Sequence, residues 1–179
     1  MRIIGGKYKG KAILPPQGYK ARPTTDFAKE GLFNILNNEY EMEGLKVLDL
    51  FGGTGAISYE FASRGASMVY CVEMLPLHAN FIKSQAVKFG MNNLTVVRHN
   101  VFDFLEICRE KFDIIFADPP YAIDGLADIP DKVFSKDILH PGAYFILEHP
   151  EEFDFSGHPR FIKEKKYGNV HFSFFENNQ

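Results

Sequence analysis

The sequence predicts an α/β fold: a seven-stranded, mostly parallel sheet with helices on both faces and a small β-hairpin and helix extension at the N-terminus. Three observations predict it. From residue 45 onward, short apolar runs alternate with segments of helical period, the pattern of a parallel sheet crossed by helices. Three of the runs, LKVLDLF at 45–51, SMVYCVE at 67–73 and FDIIFAD at 112–118, are almost continuously apolar, as strands covered on both faces are. Glycine and proline punctuate the helical segments, with Pro76 at a first turn and Gly65 and Gly90 at ends.

Taken in order, residues 1–22 contain strand-like and turn-like pieces, RIIGGKYKGKAIL and PPQGYKARP. Glycines at 5, 6 and 10 predict a hairpin with irregular turns. Residues 24–39 form a helix with Phe27, Leu32, Phe33, Ile35 and Leu36 on its apolar face, capped by Thr24 or Thr25. The core follows: strand 45–51, helix 56–65, strand 67–73, helix 76–90, strand 94–99, helix 101–110, strand 112–118, helix 124–137 and strand 142–149. RFIKEKKYG and NVHFSFFE, divided at Gly168, close the chain as a hairpin. The division is an extension at 1–40 and a main domain at 41–179, with no linker long enough to separate two large domains.

A chain of 179 residues, 45% hydrophobic, suits one globular domain. No apolar run is long enough for a membrane helix, and the basic, glycine-rich N-terminus lacks a secretory apolar core. A cytoplasmic monomer is expected. Cys71 and Cys108 have no metal or redox spacing, and the histidines are scattered, so no metal site is predicted. The net charge is −3, but it is unevenly spread. Arg2, Lys7, Lys9, Lys11, Lys20 and Arg22 fall in the first 25 residues with no acid, and Arg160, Lys163, Lys165 and Lys166 cluster near the other end. An acidic body with basic ends fits either a solvated lysine face or a polyanionic partner.

Chemistry gathers at the ends of the predicted strands. DLFGGTGAIS at 49–58 is a strand, a glycine turn and a helix start, which lets a ligand approach bare backbone and helix amides. Glu73 ends the next strand, where an acid can accept both hydroxyls of a ribose. Together they predict a nucleoside-bearing cofactor over the first two strands. A dinucleotide calls for a full GxGxxG, which Ser58 interrupts. S-adenosylmethionine has no phosphate to seat, and Asp49 can approach its cationic amino-acid end. The candidate cofactor set is Asp49, Phe51, Gly52, Gly53, Thr54 and Gly55, then Glu73 and Met74, then Asn100, Val101 and Phe102 after the third strand. Asn100 can meet the adenine edge, cap the helix behind it, or both.

The stretch FDIIFADPPY ends a buried strand on Asp118, Pro119, Pro120 and Tyr121, the candidate catalytic residues. Two prolines stiffen the chain and donate no hydrogen bonds. The Asp118 carboxylate and Pro119 carbonyl then present two fixed acceptors, suited to a planar amine with two hydrogens. Held so, the nitrogen lone pair turns out of conjugation, Asp118 can take the released proton, and Tyr121 offers a face on which a base stacks.

In these motifs the chain resembles class I S-adenosylmethionine-dependent methyltransferases with a Rossmann-like fold and a D/N-P-P-Y/F motif. More narrowly it resembles the RsmD family, which methylates the 2-amino group of a guanine in 16S ribosomal RNA. RIIGG at 2–6, RPTTD at 22–26, LFNIL at 32–36, SRGA at 63–66 and the closing YGNVHFSFF carry the narrower resemblance over nearly the whole chain. It implies a partner in 16S rRNA, within a small ribosomal subunit or an assembly intermediate. It also implies that Arg22, Pro23 and Thr24 flank the cleft, so Arg2, Lys7, Lys9, Lys11, Arg22 and Thr24 are the candidate RNA contacts. Phe27, Ala28 and Asn100 depart from the family pattern, which has arginine, an aliphatic residue and aspartate there. Residues 1–44 and 122–179 leave no room for a large base-reading domain, which favours a preformed RNA shape as target. DPPY chemistry alone does not choose guanine over adenine. A cofactor-fold assembly factor without transfer activity and a dinucleotide oxidoreductase are the other readings.

Overall fold

A computed structural model describes residues 1–22 and 24–179. Pro23 of the RPTTD motif lies outside the described residues. The helix α1 (Asp26–Glu39) is followed by β1 (Lys46–Asp49), α2 (Ala56–Ser63), β2 (Met68–Glu73), α3 (Pro76–Phe89), β3 (Leu94–Arg98), α4 (Val101–Ile107) and β4 (Phe112–Ala117). A 3-10 turn (Leu126–Asp128), α5 (Ile129–Phe134), β5 (Leu139–His149), β6 (Phe161–Tyr167) and β7 (Val170–Glu176) complete it. The helix expected over 101–110 is shorter, because Cys108 turns to extended backbone. The one expected over 124–137 is a 3-10 turn running into a short helix.

Seven strands join in one sheet in the order β3-β2-β1-β4-β5-β7-β6. All neighbours are parallel except those of β7, which is antiparallel to both β5 and β6. The closing hairpin therefore folds back so that its second strand enters the sheet. VHFSFFE is buried through its centre, while FIKEKKY alternates and is largely exposed. Lysines on the outer strand blunt an edge that could otherwise recruit another chain.

Each face of the sheet has its own core. Val47, Val69, Cys71, Ile114, Phe116, Ile146, Phe172 and Phe174 pack with α1, α2 and α3. Leu48, Val72, Ile115, Ala117, Phe145, Leu147 and Phe175 pack with α4 and α5. Successive strand residues alternate between the faces, so this parity assigns residues at the strand ends as well.

The N-terminal hairpin is reduced to one antiparallel bridge, Arg2 with Ala12, but it is firmly attached. Ile3 and Ile13 are buried in the first core. Lys29 of α1 is 1% exposed and donates from Nζ to Glu60 Oε1 at 3.1 Å and to the Arg2 carbonyl at 2.6 Å. Glu60 also accepts from Ile4 N at 2.7 Å and from Arg64 Nε at 3.3 Å. Thr25, not Thr24, caps α1, its Oγ1 accepting from Ala28 N at 3.2 Å.

Candidate active site

The site lies where β1, β2, β4 and β5 end. Leu50 N donates to the Phe116 carbonyl at 2.9 Å, and Gly52 N to the Val72 carbonyl at 2.9 Å, so the glycine turn is tied to the strand on each side. Gly55 sits at φ +83° as the N-cap of α2, and a Cβ there would fall 2.6–2.8 Å from the buried Tyr59 ring. A Cβ on Gly52 would fall 2.5 Å from Cys71 Sγ. Both positions need glycine on steric grounds.

The strand parity sends Asp49, Glu73 and Asp118 to the same face as Val47, Cys71 and Phe116. Asp49 is 1% exposed. Its Oδ2 accepts from Ser58 Oγ at 2.7 Å, and its Oδ1 is sealed from solvent with no partner. Burial, followed by the charges of Asp118 and Glu73, raises its acid to about 7 against the Ser58 and Phe51 hydrogen bonds. A cation arriving at Oδ1 would restore the carboxylate. Glu73 is held from both sides, Oε2 accepting from Gly53 N at 2.8 Å and Oε1 from Leu75 N at 2.9 Å. Each oxygen keeps a second lone pair for a hydroxyl.

Among the other predicted cofactor residues, Phe51 is half-buried beside the second core. The Thr54 hydroxyl turns to Met1 Sδ at 3.5 Å. Asn100 is the cap of α4, its Oδ1 accepting from Phe102 N at 2.9 Å, with Nδ2 against the Sδ of exposed Met74. Val101 is buried, whereas the Phe102 ring lies under Lys132 Nζ at 4.2 Å, toward α5. The departure from aspartate thus leaves a donor, the Asn100 amide, directed at the β2–α3 loop.

Asp118 follows β4, Pro119 is buried, and Pro120 accepts at its carbonyl from Ile123 N at 3.0 Å. Tyr121 is 42% exposed. Burial raises its hydroxyl to about 12, ahead of the charges of Glu148 and Asp118, with Arg22 acting in the opposite sense. Arg22 therefore lies near Tyr121. The other candidate RNA contacts do not gather there as a set. Lys7, Lys9 and Lys11 are exposed on the extension, Thr24 is half-buried, and Arg2 pairs with Asp26 at 3.0 Å. Phe27 is exposed, edge-on to Tyr167 at 5.7 Å.

Two further residues reach this edge. Tyr19 stacks on His78 with centroids 4.0 Å apart and donates its hydroxyl to the Gly53 carbonyl. Ala21 also lies beside Gly53, so residues 19–22 run across the open side of the turn toward Tyr121. Glu148, in β5, faces Asp118 and Tyr121. Its signal was present, since GAYFILEH is an apolar strand ending near an acid, as the strands of Asp49 and Glu73 do. Among the described residues no three His, Cys, Asp or Glu side chains gather as a metal site, and no helix is long and apolar enough to cross a membrane.

The family model described as "Conserved hypothetical protein 95" matches residues 1–176. A relative from Buchnera aphidicola subsp. Baizongia pistaciae, "Ribosomal RNA small subunit methyltransferase D", is 31% identical over 99% of this chain and 92% of its own length. The chain belongs to the RsmD family. Two solved structures share its form as well as its sequence. The Escherichia coli protein yhhF has a TM-score of 0.86 and 28% identity, covering 99% of this chain and 97% of that one. A Thermus thermophilus protein has a TM-score of 0.86 and 29% identity, covering 98% and 99%. This RsmD-family chain is a methyltransferase of Rossmann-like fold, with the glycine turn and the DPPY loop along one edge of its sheet.

Proposed function

We propose that the chain transfers a methyl group from S-adenosylmethionine to the 2-amino group of a guanine in 16S rRNA, in the cytoplasm, on a small ribosomal subunit or its assembly intermediate. The observation that carries the reading is the edge itself: Asp49 ends β1 and Asp118 follows the adjacent parallel β4 on the same face, close enough for the Asp118 charge to act on Asp49. A cofactor gripped at Asp49 and a base gripped at Asp118 would then meet.

The residues fit the cofactor. The buried, unpartnered Asp49 Oδ1 suits a cationic amino-acid end, and Glu73 retains acceptor capacity for a ribose. Bound S-adenosylmethionine supplies an electrophilic methyl group on its sulfonium. The chain's own contribution is positioning, which can account for much of such a barrier. Asp118 and the Pro119 carbonyl accept the two amine hydrogens and turn the nitrogen lone pair toward the cofactor. Burial, then the neighbouring Glu148, raises Asp118 well above the usual carboxylate range. That makes it a stronger base for the proton released on transfer. The Tyr121 ring, exposed beside it, stacks on a base swung out of its helix.

The test is labelled methyl transfer to small subunits lacking the modification, with nucleoside analysis of the product. Wild type should form N2-methylguanosine, and Asp118→Ala should lose at least a hundredfold in rate. Equal transfer by both proteins removes Asp118 from the mechanism, and a methylated adenine as product replaces the substrate.

A further inference from the structure

Glu148 is a costly residue for a fold to carry. It is 6% exposed, and its Oε2 is sealed from solvent with no partner. Ala117 pairs with Leu147 in parallel register, so the next residues on the two strands, Asp118 and Glu148, stand side by side. Parity sends both to the face of Phe116 and Ile146. The titratable groups that meet it are Asp118 and the Tyr121 hydroxyl after β4; beyond them lie Arg22, which acts on Tyr121, and Asp49 at the end of β1, which feels Asp118. β7 opposes it with apolar Phe172. His149, next in sequence, turns to the other face, where it meets Phe155 and bonds to Ser173. Two carboxyls packed together without a buried cation destabilise a fold, and Glu148 is raised to about 7 by that burial. Such an arrangement belongs to sites, not to scaffolds.

We propose that Glu148 selects the target base, its carboxyl oxygen accepting the N1–H of guanine while Asp118 and the Pro119 carbonyl hold the neighbouring 2-amino group. The proposal rests on amine methylation at this edge. One proton bridging Asp118 and Glu148 relieves their repulsion and leaves each acid an outward oxygen, one for the amine and one for N1–H. Guanine is the base whose methylatable amine adjoins a ring N–H. Adenine and cytosine place a bare ring nitrogen beside theirs, and an acceptor facing an acceptor is repelled. A polar group fixed in a buried site rejects an analogue that leaves it unpaired more strongly than an apolar wall rejects a shape.

The experiment uses small subunits reconstituted with 16S rRNA in which the methylated guanine is replaced by 2-aminopurine. That base keeps the 2-amino group and has no hydrogen on N1. Wild type should prefer guanine by about 10- to 150-fold in kcat/KM, the range of a hydrogen bond to a charged group. Glu148→Met removes the acceptor, and Glu148→Gln keeps the size while letting an amide donor turn to the bare nitrogen. Both should reduce the preference by about tenfold or more, with S-adenosylmethionine affinity by calorimetry unchanged. 2-Aminopurine also lacks the O6 carbonyl, but a contact to O6 affects wild type and variants alike and cancels between them. Should Glu148→Met fail to fold, the near-isosteric Gln carries the comparison. A preference within about threefold of wild type in a folded variant overturns the proposal while leaving amine methylation standing. Absence of methylguanine with wild type on native subunits overturns the reading beneath it.

Discussion

Replacing Lys29 by methionine should destabilise the chain by about 3 kcal/mol, the low end of the range for breaking a buried ion pair. The low end applies because Glu60, which is fully buried, keeps Ile4 N at 2.7 Å and Arg64 Nε at 3.3 Å after the lysine is gone. The Arg2 carbonyl loses its donor at 2.6 Å at the same time. For a chain of this length about 2–4 °C is lost per kcal/mol, so Lys29→Met should lower Tm by roughly 6–12 °C in a calorimetric scan. Combining it with Glu60→Gln removes the stranded charge, and the double variant should be more stable than the sum of the two single losses by about 1–2 kcal/mol. Limited trypsinolysis should cut Lys29→Met sooner within residues 1–22, since Lys29 and Glu60 anchor the segment that carries Tyr19 and Arg22 to the site. A Tm shift under about 2 °C, well short of the cost of breaking such a pair, or strict additivity of the two substitutions, refutes the anchoring role.

Three further outcomes are expected. The Asp49 acid sits near 7 when folded, raised by burial, and near 4 when unfolded. Its contribution to stability is therefore full below about pH 4 and lost as pH rises through 7. The cofactor's cation needs the ionised form, so calorimetric affinity for S-adenosylmethionine should rise about eightfold from pH 5.5 to 6.5 and flatten only above about pH 7.5; a flat profile in wild type, or the same slope in Asp49→Asn, counts against the contact. Gly55→Ala meets Tyr59 and a left-handed backbone at once and should cost about 2–4 kcal/mol in chemical denaturation, with cofactor binding lost at permissive temperature. Replacing Lys7, Lys9 and Lys11 together by alanine should weaken binding to small subunits and reduce the salt dependence by about 0.7–0.9 in log–log slope per lost phosphate contact; an unchanged slope shows that these charges are only solvated.

The sequence alone determined the alternation of strands and helices, the glycine turn, and an acid or DPPY at the end of three strands. These are legible because period, punctuation and cap chemistry are properties of neighbours in the chain: LKVLDLF is a buried strand and DLFGGTG a turn whatever surrounds them. Even the order of the closing hairpin left a trace, since FIKEKKY carries an edge strand's lysines and VHFSFFE a buried strand's aromatics. Tertiary structure decided what depends on residues far apart. Only the β4–β5 register sets Glu148 beside Asp118, only the docking of α1 on Glu60 brings Tyr19 over Gly53, and only the packing of α4 against α5 turns Phe102 under Lys132. Lateral strand order and register come from side chains meeting across the sheet, and no local pattern records which distant residue will be opposite.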